Sequence, residues 1–190
     1  MKFTTAKLIL GISLLAPAPL LSSSVDSIEV LDISKSPTQI EWQTFNKLSP
    51  AKQQQLWNYH SSKGKKLGNW SWEWRIGWVR SCLEPSKRKE NYCEQIIKDG
   101  LEDDALVVRS ETVKHLGLSY QGSKDLKIIQ LLANTYKNAR NYRNQKPLFI
   151  QRYILFSLKQ IQGKQAHSIG EELAAKNIDT KKYWARISRF

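Results

Sequence analysis

The chain has 190 residues, a formal net charge of +13, two cysteines and three histidines. This length suits a single globular domain. The histidines (His60, His115 and His167) are scattered singly and the cysteines lack zinc spacing, which argues against a metal site. We therefore expect no metal and no cofactor, and the strong positive charge favours polyanionic partners.

The first 24 residues have the pattern of a signal peptide. Lys2 and Lys7 precede a short apolar run at 8–15, and small residues follow at 22–24. The apolar run is shorter than the roughly 20 residues that span a bilayer, which weighs against the alternative of an uncleaved membrane anchor. We expect export, with a mature protein that is periplasmic or secreted.

An irregular arm is predicted at 25–35, followed by two helices within 36–66. Ser36 is expected to be the N-cap of the first helix and Pro37 its first residue. Pro50 is expected to begin the second helix in the same way.

The stretch 69–82, NWSWEWRIGWVRSC, holds four tryptophans. On a helix, Trp70, Trp74 and Trp78 share one face and Trp72 lies in the adjoining sector. A helix that is apolar over most of its circumference is buried on more than one side, so this stretch predicts core packing. The alternative is that Trp70 or Trp72 stacks on a sugar ring or a partner.

Cys82 and Cys93 are expected to form a disulfide, because exported proteins meet oxidising conditions and an even number of cysteines indicates pairing. Such a bridge would staple two successive helices. Two packed free thiols are the alternative.

The segment 67–190 contains helices in pairs, and their longer members share one apolar pattern. Val108 aligns with Ile150 at an offset of 42 residues and with Trp74 at an offset of 34. Shorter partner helices are predicted at 91–99, 123–136 and 164–176, with Gly100, Gly122 and Gly163 where helices end or turn.

The stretch 103–117, DDALVVRSETVKHLG, resembles the HEAT repeat signature, in which acidic residues precede Val-Arg and the unit ends in Leu-Gly. The likeness covers roughly 70–176, and the third unit departs from it at Gln151 and Lys159. The resemblance implies an all-α fold: a short HEAT-like α-α solenoid of about three helix pairs, with extra N-terminal helices and a C-terminal capping helix. It implies a scaffold with binding surfaces and says almost nothing about chemistry.

Arg109 occupies the arginine position of this pattern. The resemblance implies a structural role, in which Arg109 pairs with Asp103 or Asp104 in the preceding loop. A last amphipathic helix is expected after Asp179, with its apolar side covering the end of the solenoid. Its basic and aromatic character also fits contact with an anionic membrane surface.

The segment 124–164 carries nine basic residues and one acidic residue, Asp125. Three Asn-x-basic triplets follow one another within it, at 138–146. Loops between repeats commonly carry a binding surface, although a charged loop can also serve only to keep a protein soluble. The candidate partner-binding residues are Lys137, Arg140, Tyr142, Arg143 and Lys146.

These features predict a non-catalytic exported scaffold that binds a protein or an acidic envelope polymer. Phosphate-loop, nucleophile-elbow and zinc-protease motifs are absent from the sequence, and no enzyme is predicted. One alternative is a polyanion or membrane-surface binder that acts through bulk positive charge; nucleic acid ranks behind the other partners for an exported chain. A second alternative is a small envelope hydrolase or toxin whose site is not visible in sequence.

Overall fold

The computed structural model describes residues 31–62, 67–87, 91–144 and 146–189. The predicted signal peptide, and residues 25–30 of the predicted arm, lie outside the described residues. The described residues belong to one compact unit that begins at Leu31. Their helices are α1 Gln39–Lys47, α2 Pro50–Ser62, α3 Trp72–Cys82, α4 Asn91–Glu102, α5 Leu106–Ser119, α6 Leu126–Lys137, α7 Ile150–Ile161, α8 Lys164–Ala174 and α9 Ile178–Ile187.

The described part of the chain is mostly helical, so the expectation of an all-α protein is confirmed. Its strands are two residues each: β1 Tyr142–Arg143 and β2 Lys146–Pro147. They pair antiparallel between α6 and α7. Short 3-10 turns precede α3 and β1.

The N-cap of α1 is Thr38, so the prediction of Ser36 is wrong. The backbone N–H of Glu41 donates to Thr38 Oγ1 at 3.2 Å, and the backbone N–H of Thr38 donates to Glu41 Oε2 at 2.7 Å, which closes a reciprocal capping box. The hydroxyl of Ser36 instead donates to Glu73 Oε1 at 2.7 Å. The second helix begins at Pro50 as predicted.

The tryptophan stretch forms the core between the N-terminal helices and α3. Trp70, Trp74 and Trp78 are buried, and the ring centroids of Phe45 and Trp78 lie 4.9 Å apart. The prediction of core packing is confirmed for these three tryptophans. Trp72 differs, since it is the first residue of α3 and 46% of its side chain is exposed.

The aligned positions of α3, α5 and α7 are all buried. Trp74, Val108 and Ile150 are each at most 1% exposed. α5 packs against α7 on one side and against α3 on the other. Close approach between α5 and α7 requires Gly117, because a Cβ there would lie 2.6 Å from the Cα of Ser157.

The glycines play different roles from one another. Gly122 and Gly163 have φ angles of +69° and +93° and occupy turns, as expected. Gly100 does not end a helix, because α4 continues through it to Glu102. A Cβ at Gly100 would lie 2.7 Å from the Thr112 hydroxyl, so this glycine lets α4 approach α5.

Cys82 and Cys93 lie at disulfide distance, with a Cα–Cα separation of 5.0 Å. Cys82 is the last residue of α3 and Cys93 lies in the first turn of α4. The predicted staple between these two helices is therefore present.

The last helix, α9, begins at Ile178 after an N-cap at Asn177. It packs against α7 and α8. The ring of Trp184 is buried over Gly170, where a Cβ would lie 2.3 Å from the indole. Burial of this ring anchors α9 to the rest of the bundle.

Candidate functional site

The predicted basic segment forms a small hairpin between α6 and α7. Tyr142 pairs with Pro147 and Arg143 with Lys146. Asn144 has a φ angle of +48°, a conformation that asparagine tolerates better than most residues. This geometry places Arg143 and Lys146 side by side on an exposed ribbon.

A buried arginine holds the base of the hairpin. Arg109, which is 3% exposed, donates from Nε to Oδ1 of Asn141 at 3.0 Å and from Nη2 to the carbonyl of Arg140 at 3.0 Å. Asn141 is fully buried and donates to the carbonyl of Thr135 at 2.8 Å. The segment that precedes β1 is therefore fixed to both α5 and α6.

The same guanidinium reaches back to the loop before α5. Its Nη1 donates to the carbonyls of Asp103 and Asp104. The structural role expected of Arg109 is confirmed, but its partners are main-chain carbonyls and not the carboxylates that sequence suggested. Burial lowers the pKa of Arg109, although the nearby charge of Asp103 opposes that shift.

The carboxylate of Asp103 has a different partner, Arg75 of α3, which lies 34 residues before Arg109 in the sequence. Arg75 Nη1 lies 2.9 Å from Asp103 Oδ2, and the N–H of Ala105 donates to Oδ1 at 2.7 Å. Burial raises the pKa of Asp103 in spite of both contacts. Arg75, Asp103, Arg109 and Asn141 thus form a continuous polar connection from α3 to the hairpin.

The predicted binding residues divide into two groups. Arg140 is exposed but engaged, since its Nη1 donates to Asp104 Oδ1 at 3.0 Å and to the Glu102 carbonyl at 2.9 Å. Tyr142 is half-buried, and burial raises its pKa while a hydrogen bond with Gln151 opposes the shift.

The second group is exposed and carries positive charge. Lys137, Arg143 and Lys146 form no ion pair with any carboxylate in the described part of the chain. Their charges are therefore available to a partner. An acidic cleft of about 610 Å³ lies beside Arg140 and includes Asp99 and Glu102.

The structure adds residues that the sequence reasoning did not single out. The guanidinium of Arg152 on α7 lies 5.9 Å from the ring centroid of Tyr183 on α9, and that of Arg186 lies 5.3 Å from the same centroid. Phe149 and Tyr153 are exposed beside them, with ring centroids 5.9 Å apart. The spacing of Phe149 and Tyr153, four residues apart, was a signal that could have marked an aromatic helix face.

A third surface surrounds the exposed tryptophan. Trp72 lines a cleft of about 210 Å³ together with Trp42 and Ile76, and Glu73 and Arg80 add charge to it. Burial would raise the pKa of Glu73, but the hydrogen bond from Ser36 helps to hold it below its ordinary value.

Within the described ranges, no group of three or more His, Cys, Asp or Glu side chains is arranged to hold a metal ion. The helices there also lack the combined length and apolarity needed to cross a bilayer. Comparisons with family models, with curated proteins and with solved structures found no match to this chain.

Proposed function

We propose that this protein is an exported, non-catalytic helical-repeat scaffold of the HEAT type, and that it binds an acidic protein or an acidic envelope polymer through its basic hairpin. The contact surface in this proposal consists of Lys137, Arg140, Tyr142, Arg143 and Lys146.

The helix packing supports a repeat architecture. α3, α5, α7 and α9 pack side by side in that order. α4 contacts both α3 and α5, α8 contacts both α7 and α9, and α6 contacts α7 and α8, an arrangement that supports a second helical layer. The sequence predicted that α4 would be the shorter member of its pair, but α4 has 12 residues and α3 has 11. The buried positions recur at the offsets seen in the sequence. Stacked helix pairs of this kind present their loops along one edge.

The observation that carries the proposal is the attachment of the hairpin to buried Arg109. Because Arg109 binds Asn141 and the Arg140 carbonyl, the ribbon that follows has a fixed base. A surface whose backbone is already ordered loses less conformational entropy on binding than a mobile loop would. Exposed Arg143 and Lys146 are thus preorganised for a partner that carries carboxylate or phosphate groups.

Site-specific photocrosslinking in the producing cells tests this proposal. A photoreactive amino acid replaces Arg143 in one strain and Gln130, an exposed residue of α6, in a matched control strain. We expect a distinct crosslinked partner only from position 143. Identical products from the two positions would contradict a specific hairpin contact.

Charge reversal then tests whether the contact is electrostatic. The double variant R143E/K146E should weaken crosslinking from Tyr142, whereas K47E/K52E, which makes the same change in net charge on α1 and α2, should not. We expect R143E/K146E to lower this crosslinking by about tenfold or more, because two charge-assisted contacts are lost.

Bulk positive charge is the second candidate function, because the formal net charge is +13. A polyanion binder of this kind loses affinity steeply as salt rises. The affinity of such a binder should also fall by the same factor in R143E/K146E and in K47E/K52E, because it depends only on total charge. Equal effects of the two double variants would therefore favour bulk charge over the hairpin scaffold.

A further inference from the structure

The exposed side of α7 carries an aromatic stripe. Phe149, Tyr153 and Phe156 follow one another at intervals of four and three residues, which places them on one helix face. Phe149 is 51% exposed, Tyr153 is exposed and Phe156 is half-buried. The rings of Phe149 and Tyr153 contact edge to face. A patch of aromatic rings on α7 is therefore exposed to solvent.

Arginines border this stripe. Arg152 and Arg186 both lie against the ring of Tyr183, at 5.9 and 5.3 Å from its centroid. Neither guanidinium forms an ion pair with a described carboxylate. The single ring of Tyr183 contacts both arginine side chains, while their charges stay unneutralised.

The outer face of α9 continues the surface. Ile178 is 62% exposed, and Lys182 and Arg186 lie within about 80° of it around the helix at 100° per residue. Arg189 is exposed in the turn that follows α9. Ala185 lies among them and lines the same shallow depression as the three cations. The face is thus apolar at its start and basic along its length.

Acidic residues are scarce on this surface. Asp179 lines the cleft between α7 and α9, next to Phe149 and Arg152. The other carboxylates of this part of the chain, Glu171 and Glu172, lie on α8. The joint face of α7 and α9 therefore presents exposed apolar side chains within a strongly positive field.

We propose that the exposed faces of α7 and α9 dock on an anionic lipid membrane surface. Apolar side chains such as Phe149 and Ile178 would enter the headgroup region to a depth of about 5–10 Å. The arginine and lysine stems would lie along the interface, with their charges on lipid phosphates. Bases could stack on Phe149 and Tyr153, but the exposed aliphatic side chain of Ile178 has no use in stacking and suits a lipid interface.

The hairpin plays no part in this proposal, which stands on a different set of side chains. Membrane docking through α7 and α9 would leave Arg143 and Lys146 to a separate partner. The two proposals can consequently fail independently.

An environment-sensitive fluorophore on a single introduced cysteine tests the docked face. Both native cysteines are bonded to each other, so F149C in the full-length chain can be labelled selectively. Q130C, at an exposed position of α6, is the matched control. Vesicles of phosphatidylcholine alone are compared with vesicles that contain about one third phosphatidylglycerol.

We expect a blue shift at position 149, and quenching by spin-labelled acyl chains, only with the phosphatidylglycerol vesicles. Position 130 should give neither signal. The difference between positions 149 and 130 reports which face of the protein contacts the vesicle. Vesicle binding by residues 1–30 alone would not produce it. No signal at 149, or equal signals at 149 and 130, would overturn the proposal.

Affinity measurements on the unlabelled chain supply the second arm. R152Q/R186Q should weaken binding to the phosphatidylglycerol vesicles by about thirtyfold, the loss expected for two basic residues at an anionic surface. K47Q/K52Q, which removes equal charge from α1 and α2, should change it by less than about threefold. Equal losses in the two variants would overturn the proposal in favour of bulk charge.

The hairpin variant R143E/K146E separates this proposal from the proposed scaffold function. In R143E/K146E, a retained fluorescence signal at position 149 together with unchanged crosslinking from position 142 would rule out charge-dependent binding at the hairpin and leave membrane docking intact. Tight binding of a single-stranded oligonucleotide that R152Q/R186Q abolishes, without vesicle binding, would instead identify nucleic acid as the ligand and overturn membrane docking.

Discussion

The guanidinium of Arg109 binds the side chain of Asn141 at 3.0 Å, and this contact joins α5 to the hairpin 32 residues further along the chain. Both side chains are buried. Since a buried charge is tolerated only where hydrogen bonds surround it, the four acceptors of Arg109 explain how the guanidinium can occupy this position. In turn, each of these four acceptors receives a hydrogen bond from Arg109.

Replacing Arg109 with methionine should therefore lower the free energy of unfolding by about 3–5 kcal/mol, because it leaves buried acceptors without a donor. Urea unfolding followed by circular dichroism measures the loss. The control is R140M, which removes an exposed ion pair with Asp104 and should cost less than about 1 kcal/mol. Similar losses in the two variants would contradict the anchoring role of Arg109.

Gly117→Ala tests the close packing of α5 on α7. The new methyl group would lie 2.4 Å from the Ser157 hydroxyl and 2.6 Å from the Ser157 Cα, so backbone must shift to accept it. We expect a net destabilisation of about 1–3 kcal/mol, even though alanine favours helix more than glycine does. Thermal unfolding provides the measurement. Gly68→Ala, where no atom lies within 4 Å of the new Cβ, is the control and should have little effect.

The helix interiors could be predicted from the sequence because a period of 3.6 residues is a local property. Trp74, Val108 and Ile150 were aligned by pattern alone, and all three are buried. Helix ends were harder to place. Ser36 and Thr38 are both good N-caps, and the choice of Thr38 depends on the reciprocal bond with Glu41.

The site was only partly predictable, because its organisation depends on contacts between distant residues. The basic composition marked Arg143 and Lys146, which are exposed as a binding surface requires. The sequence did not indicate that Arg140 would be engaged by Asp104. Nor could it place Arg152 against Tyr183, because no local pattern connects two helices that lie about thirty residues apart.

The disulfide should make a measurable contribution to stability. Breaking it with C82S/C93S removes a constraint on the unfolded chain, and we expect a loss of about 2–3 kcal/mol for a loop this short. The measurement is the urea midpoint with and without a reducing agent. Reduction should shift the midpoint of the parent protein toward that of C82S/C93S and leave the variant unchanged. A parent protein insensitive to complete reduction would argue against a stabilising bridge.

His115 provides a prediction about pH. Nε of Arg80 lies 2.9 Å from Nε2 of His115 and donates to it when the imidazole is neutral, while Oε2 of Glu111 lies 3.3 Å from the same ring nitrogen. Burial lowers the pKa of His115, the charge of Arg80 lowers it further, and Glu111 opposes both effects. Lys114 adds a further positive charge nearby.

The unfolded chain, in which the pKa of this histidine is near 6.5, then binds a proton more readily than the folded chain. The free energy of unfolding should therefore fall as pH drops below about 6.5, until pH passes the folded pKa. H115Q should flatten this dependence between about pH 7.5 and 5.5, a range above the ordinary pKa of carboxylates such as Glu111. Urea unfolding at intervals across the range is the measurement. A parent protein and an H115Q variant with the same slope would show that Arg80 does not keep this imidazole neutral.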